Sequence, residues 1–231
     1  MTTIGGDGAH DSVGLQHRSL REVVLDELRR SIIDGRYVQG ERLFEEEIAH
    51  RLDVSRNPVR EALQALALDG FVELEPRRGA RVATVSSKRA EELFEIRESL
   101  EGLVARLAAR HRTDAQLAGL RELVDTGEAA AAGGELEVLP ELNTRFHRAL
   151  ALASHNQLLA TETARLSHLI AWVYVRRVNQ RSARSWSEHH DIVDAIAAQD
   201  ELRALRIAEL HIANARAAFF SDTATGLHVA G

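Results

Sequence analysis

Apolar residues recur at every fourth position near the start of the chain, at Leu20, Val24, Leu28 and Ile32. This spacing places the four side chains on one face of an α-helix. Ser19 is a suitable N-cap for that helix, and Gly35 is a suitable stop. The pattern therefore predicts a first helix of about four turns.

Two further helices are predicted before the pattern changes. The first is short and carries apolar residues at Phe44, Ile48, Ala49 and Leu52. The second begins at Asn57-Pro58, because proline is tolerated in the first turn of a helix. It runs to Gly70, where glycine ends the apolar repeat.

A hairpin is predicted after the third helix. Residues 71–75 alternate in polarity, turn residues occupy 76–79, and residues 80–85 return as a second short strand. Three helices followed by a hairpin describe a winged helix-turn-helix, which we assign to residues 17–86. Residues 1–16 hold four glycines and no apolar period, so we expect a flexible tail there.

The rest of the chain shows only helical periodicity. We predict about six helices, with breaks near residues 111–113, 133–134, 155–156, 180–185 and 199–200. These helices would form an all-helical bundle over residues 87–222, followed by a tail at 223–231. Aromatic residues make up 4% of the chain and prolines number three, which also favours a mostly α fold.

Composition narrows the possible functions. The chain has no cysteine, which excludes disulfides, thiolate catalysis and zinc ribbons. The longest apolar run, residues 169–175, is too short to cross a bilayer, so we expect a cytoplasmic protein with no membrane partner. The net charge of -6 argues against a protein that binds nucleic acid through bulk charge, and local charge must decide.

Local basic charge collects at the start of the third helix and in the hairpin. Arg56 and Arg60 are four residues apart and share a helical face, from which guanidinium groups can reach guanine or phosphate. The hairpin places cations on both sides of its glycine. The other interpretation is ordinary solvated surface, since residues 18–85 carry 12 basic and 13 acidic side chains. The clustering favours DNA contact by Ser55, Arg56, Asn57, Arg60, Arg77, Arg78 and Gly79.

This first region resembles a known family. The runs at residues 40–49, 54–63, 68–71 and 78–79 are similar to the DNA-binding domain of GntR-family bacterial transcriptional regulators. The resemblance implies a homodimer on double-stranded operator DNA, with Ser55, Arg56 and Arg60 in the major groove. It also implies that Gly79 lies at the minor groove. Many relatives carry arginine where this chain has Glu46, so one DNA contact of those relatives is missing or replaced here.

A second group of residues suggests a metal site. Asn143 and His147 are four residues apart, which places two potential ligands on one helical face. His211 and one of His189 and His190 could complete the site. We choose His189, because the residues that share its face are the apolar Ile192, Val193 and Ile196. The other interpretation is that these histidines are surface or hydrogen-bonded core residues.

The bundle resembles the FCD effector domain of FadR-like GntR regulators. The similarity lies in residues 93–101, 146–150, 188–189 and the late His211. It implies that Asn143, His147, His189 and His211 hold a divalent metal of the Zn, Ni or Mn type. It also implies that Arg97 binds a small organic acid effector; the other interpretation of Arg97 is a surface pair with Glu101. The six predicted helices of the bundle suggest the VanR-like branch of this family. At the first ligand position, Asn143 replaces the aspartate that is usual in the family.

These observations favour a transcriptional regulator, acting as a repressor, whose operator affinity is controlled by the effector. One alternative is a DNA-binding regulator whose metal-free bundle only dimerises. Another is a metal-dependent hydrolase or oxygenase. The sequence argues against the enzyme, because it has no H-E-x-x-H helix, glycine-rich phosphate loop or nucleophile elbow.

Overall fold

The structure is a computed structural model and describes residues 19–75, 78–174 and 182–221. The first part of this chain contains α1 Leu20–Ile33, β1 Arg42–Leu43, α2 Glu45–Leu52, α3 Arg56–Leu68, β2 Val72–Glu75 and β3 Gly79–Val82. The second part contains α4 Ser87–His111, α5 Asp114–Gly133, α6 Leu139–Ala153, α7 Gln157–Tyr174, α8 Ser182–Ala197 and α9 Glu201–Ser221. The predicted mostly α fold is confirmed. The predicted tails lie outside the described residues.

The first helix begins and ends where its capping residues predict. The Ser19 hydroxyl accepts a hydrogen bond from the Glu22 amide at 3.2 Å, and the Glu22 carboxylate accepts one from the Ser19 amide at 2.9 Å. This capping box satisfies two amides that would otherwise have no partner in the helix. After Ile33 the chain turns through Gly35, whose φ is 76°. The apolar face of α1 packs against α3.

The helix-turn-helix and its sheet follow the predicted order, with one added strand. Asp53 adopts the left-handed conformation, with φ 51°, and separates α2 from α3. The sheet is antiparallel in the order β1-β3-β2. Strand β1 was not predicted, because two residues are too short to show a period. It pairs Leu43 with Ala80 and joins the hairpin to the chain before α2.

Two hydrophobic cores organise the described residues, and one of them crosses from the winged helix into the bundle. This shared core combines the apolar faces of α1 to α3 with residues of α4, α7 and α9. Phe71 lies 5.4 Å from Trp172 between ring centroids, and Phe94 lies 5.5 Å from Phe219. The second core lies wholly within the bundle. Because three bundle helices enter the shared core, a shift in them changes the packing of the winged helix.

An ion-pair network also links the two parts. Asp69, just after α3, accepts contacts from Arg29 of α1 and Arg165 of α7, each at 3.0 Å. Arg165 also donates to the carbonyl of Leu68. Helix α7 is therefore tied to the end of α3 by charge as well as by apolar packing.

Candidate nucleic-acid interface and buried histidine site

The start of α3 presents its polar side chains to solvent. Ser55, Arg56, Asn57 and Arg60 are all exposed. The Ser55 side chain makes no capping hydrogen bond to its own helix, although it occupies the N-cap position. The amides of a first helical turn lack partners within the helix and suit an anionic group. This end of α3 therefore has the properties of a phosphate-binding and base-reading surface.

Glu45, the first residue of α2, contacts both arginines of α3. Its carboxylate accepts hydrogen bonds from Nε and Nη2 of Arg60, with distances between 3.2 and 3.3 Å. It also accepts one from Nη2 of Arg56 at 3.5 Å. Asn57 donates to Glu61 at 2.8 Å on the same helix. The role of Glu45 could not be predicted from the sequence, because the contact joins two helices and leaves no periodic signal.

The wing is a tight turn around Gly79, whose φ of 91° favours glycine. The amide of exposed Arg78 donates to the carbonyl of Glu75 at 3.0 Å and closes the turn. Arg81, two residues after Gly79, does not face the turn. It donates to the carbonyl of Gly40 at 3.0 Å and pairs with Glu75 at 3.3 Å, so it stabilises the sheet. Arg77 lies outside the described residues.

Three histidines from three helices meet inside the bundle. His147 of α6, His189 of α8 and His211 of α9 are buried, and one nitrogen of each lies within 4.8 Å of the others. The Nε2 atoms of His189 and His211 are 3.3 Å apart. His190, next to His189, faces the surface with half of its side chain exposed. Asn143 lies one turn before His147 on α6 and is half-buried.

Two carboxylates orient two of these imidazoles. Glu101 contacts Nδ1 of His147 at 2.8 Å, and Glu188 contacts Nδ1 of His211 at 2.7 Å. Asn214 donates to the other oxygen of Glu188 at 2.9 Å. The Glu188 carboxylate holds the proton of His211 on Nδ1 and leaves Nε2 of that ring with a lone pair. This role of Glu188 leaves no signal in the sequence, because its partner lies on another helix.

Burial keeps His211 uncharged. Desolvation lowers the pKa of His211 to about 4, although the hydrogen bond to Glu188 acts in the opposite direction. The imidazole is therefore neutral at pH 7, which is the form that binds metal ions. Burial alone would raise the pKa of Glu101, but the positive charge of Arg97 and the contact with His147 outweigh it and hold that pKa well below its usual value.

Arg97 makes the contact with Glu101 that the spacing of the two residues allows. Its Nε donates to Glu101 at 2.5 Å, which is the expected contact between residues four apart on one helix. The pair is nevertheless buried, with 8% and 10% of the two side chains exposed. Nη2 of Arg97 also lies 3.4 Å from Nε2 of His147. Arg97 thus belongs to the histidine site and not to the surface.

The residues present fit a divalent metal. Two imidazole nitrogens bound tetrahedrally to one zinc ion at about 2.05 Å lie about 3.3 Å apart, which matches His189 and His211. Two aromatic rings pack against His189. Its ring centroid lies 4.2 Å from that of Phe146, which stacks on it, and 4.8 Å from that of Trp186, which meets it edge-on. Clustered imidazoles, neighbouring carboxylates and an apolar wall are the features of a protein metal site.

Comparison with known proteins agrees with both halves of the structure. Residues 20–82 match the bacterial regulatory proteins of the gntR family, and residues 92–214 match the FCD domain. The chain therefore belongs to the GntR family of bacterial regulators and carries an FCD domain. Members of this family are transcriptional regulators and not enzymes, so the chain is a DNA-binding transcriptional regulator. Among the described residues, no helix is long and apolar enough to span a membrane.

Individual relatives support the same class. The Nta operon transcriptional regulator of Aminobacter aminovorans is 32% identical over 74% of this chain and 81% of its own length. The transcriptional repressor NanR of Salmonella schwarzengrund is 30% identical over 86% of this chain and 83% of its own. The solved structure of E. coli McbR/YncC shares the fold, with a TM-score of 0.77, 23% identity, and coverage of 90% of this chain and 100% of that one.

Proposed function

We propose that this protein is a homodimeric, cytoplasmic repressor whose operator affinity is controlled by a small organic acid. The effector would bind beside a divalent metal in the bundle. The observation that carries this proposal is the buried cluster of His147, His189 and His211 with Arg97 and Glu101 against it. Burying so many imidazoles and paired charges is costly, and such clusters are typical of binding sites.

On the DNA side, we assign the start of α3 to the major groove. Ser55 and the first-turn amides would bind phosphate, while Arg56, Asn57 and Arg60 would reach base edges. The wing, with Arg77, Arg78 and Gly79, would follow the minor groove. A two-fold dimer requires a palindromic operator, because each subunit reads one half-site.

In the bundle, we assign His147, His189 and His211 as metal ligands and Asn143 as a fourth, through its amide oxygen. Imidazole ligands suit zinc and nickel, and an amide oxygen also suits manganese. A bound divalent ion would supply a Lewis-acidic position for one effector carboxylate. Arg97 would bind the same carboxylate through its guanidinium group, while Glu101 fixes the orientation of both Arg97 and His147.

Helices α4 and α9 connect this site to the winged helix. Arg97 lies one turn from Phe94, and His211 is followed by Ile212, and both apolar residues belong to the shared core. An effector that favours one position of Arg97 would therefore favour one packing of that core. Its differential affinity for the two arrangements would set the change in operator affinity.

Metal analysis with carboxylate screening tests the sensor half of this proposal. The full-length protein is stripped with chelator, reloaded with zinc, nickel or manganese, dialysed and analysed for bound metal. Its melting temperature is then measured with acetate, lactate, succinate and citrate. We expect one ion per chain and a higher melting temperature with at least one of these acids.

Two histidine variants make that test specific. His147→Ala should lose the metal and the carboxylate response, whereas His190→Ala, which removes an exposed imidazole, should keep both. A wild-type protein that retains no metal and responds to no carboxylate would overturn the sensor function. It would favour the second candidate, a bundle that only dimerises, in which the internal hydrogen bonds of the histidines have a packing role.

A further inference from the structure

The carboxylate of Glu45 lies beside the proposed DNA surface. It lies at the start of α2, yet its carboxylate is turned toward the two arginines of α3 that face the proposed DNA surface. About a quarter of its side chain is exposed, while Arg56 and Arg60 are more than half exposed. A carboxylate at this position opposes the phosphate backbone, so it lowers affinity for DNA of any sequence.

The contact geometry differs between the two arginines. Arg60 faces Glu45 with Nε and Nη2, which form one edge of its guanidinium plane. Arg56 makes a single, longer contact at 3.5 Å. Two donors on one carboxylate fix the plane of the Arg60 guanidinium, and its other edge, with Nη1, remains available. Reading a guanine requires such a fixed plane, because the two hydrogen bonds to its edge are directional.

From this geometry we propose that Glu45 is a positioning residue for sequence recognition. It holds Arg60 in the orientation that reads a base and also weakens attraction to phosphates. A phosphate contact would need only the positive charge of Arg60, which Glu45 partly cancels. A base contact needs direction, which Glu45 supplies. The inference rests on the proposed placement of α3 on DNA and adds a residue that does not itself contact a base.

Glu46 provides a matched control. It is the next residue on the same helix, it is exposed, and the described residues offer it no ion pair. Glu45→Gln and Glu46→Gln therefore make the same change in net charge beside the same surface. Only Glu45→Gln removes the carboxylate that orients Arg60.

The experiment is selection of bound duplexes from a randomised DNA pool, using the full-length protein. Wild type and Glu46→Gln should enrich the same palindrome. Glu45→Gln should lose base preference at one symmetric pair of positions, and its ratio of specific to non-specific affinity should fall about tenfold or more. Arg60→Lys, which keeps the charge but lacks the fork, should lose preference at the same positions.

The outcomes separate this inference from the proposed function. If Glu45→Gln and Glu46→Gln tighten binding to all DNA equally and keep the same palindrome, Glu45 acts only through its charge and the inference is overturned. If Arg60→Ala binds the enriched palindrome as wild type does, the placement of α3 itself is wrong. Circular dichroism spectra that match wild type would confirm that each variant is folded.

Discussion

The two proposed sites each contain an arginine paired with a glutamate, but in opposite surroundings. The Arg60–Glu45 pair lies on the surface, with 53% and 26% of the side chains exposed. The Arg97–Glu101 pair lies inside the bundle, with 8% and 10% exposed. Water screens the first pair, so it contributes little to stability while its arginine stays accessible to a base. The second pair has no such screening, and each partner depends on the other to remain buried.

This contrast suits the two tasks. A DNA-reading arginine must leave solvent for a base edge, so it benefits from a weak partner that sets its orientation. An effector-site arginine must already be in place inside a closed bundle, where an unpaired charge would be costly. In the proposed roles, the exposed pair would orient an arginine for DNA recognition, and the buried pair would be a fixed part of the effector site.

The largest expected effect comes from breaking the buried pair. Glu101→Gln leaves Arg97 buried without its counter-ion, so we expect a loss of about 3–5 kcal/mol in the free energy of unfolding. Glu45→Gln removes the carboxylate of the exposed pair and should leave unfolding close to wild type. Urea unfolding of the chelator-treated proteins measures both changes. Equal effects of the two substitutions would contradict the contrast between the sites.

The helices could be predicted because their ends are set by nearby residues. The Ser19 cap, the proline near the start of α3 and the breaks in the bundle act within a few residues, so the predicted helices appear with small shifts. The spacing of Arg97 and Glu101 also allows the pair that the structure contains, although the sequence supports it only as the alternative interpretation of Arg97. Periodicity alone does not bury the pair, because its neighbours His147 and His211 lie on other helices; only the resemblance to the FCD domain implied an internal Arg97.

The roles of Glu45, Glu188 and Arg81 could not be predicted for the same reason. Each is defined by a partner on another element: Glu45 by α3, Glu188 by His211, and Arg81 by the carbonyl of Gly40. Periodicity reports which face of an element is apolar, but not which polar groups of two packed elements will meet. Sequence reasoning therefore named all three histidines of the cluster and missed the carboxylates that contact them.

An intermediate effect should follow from disturbing the packing behind the histidines. A Cβ atom on Gly127 would overlap the indole of Trp186, and that indole meets His189 edge-on. Gly127→Ala should therefore cost about 1–3 kcal/mol in the free energy of unfolding. Gly119→Ala, in the same helix, has no atom within 4 Å of the new Cβ. It should gain up to about 1 kcal/mol, because alanine favours the helix.

The two glycine variants also separate the effect on the histidine site from the effect on DNA binding. Gly127→Ala should also weaken metal binding, since it displaces the wall behind His189, but it should leave affinity for non-specific DNA unchanged. Calorimetric titration with zinc and a DNA-binding assay measure these two quantities. If Gly127→Ala destabilised the protein no more than Gly119→Ala does, the histidine site would not depend on this close packing.

The smallest expected effect is the response of each pair to salt. Double-mutant cycles on Arg60–Glu45 and Arg97–Glu101 give the coupling free energy of each pair. In about 1 M sodium chloride the screening length falls to about 3 Å, so the coupling of the exposed pair should approach zero. Salt cannot reach the buried pair, whose coupling should change little. A buried pair that lost its coupling in salt would have to be open to solvent, and Arg97 and Glu101 would then behave as a surface pair like Arg60 and Glu45.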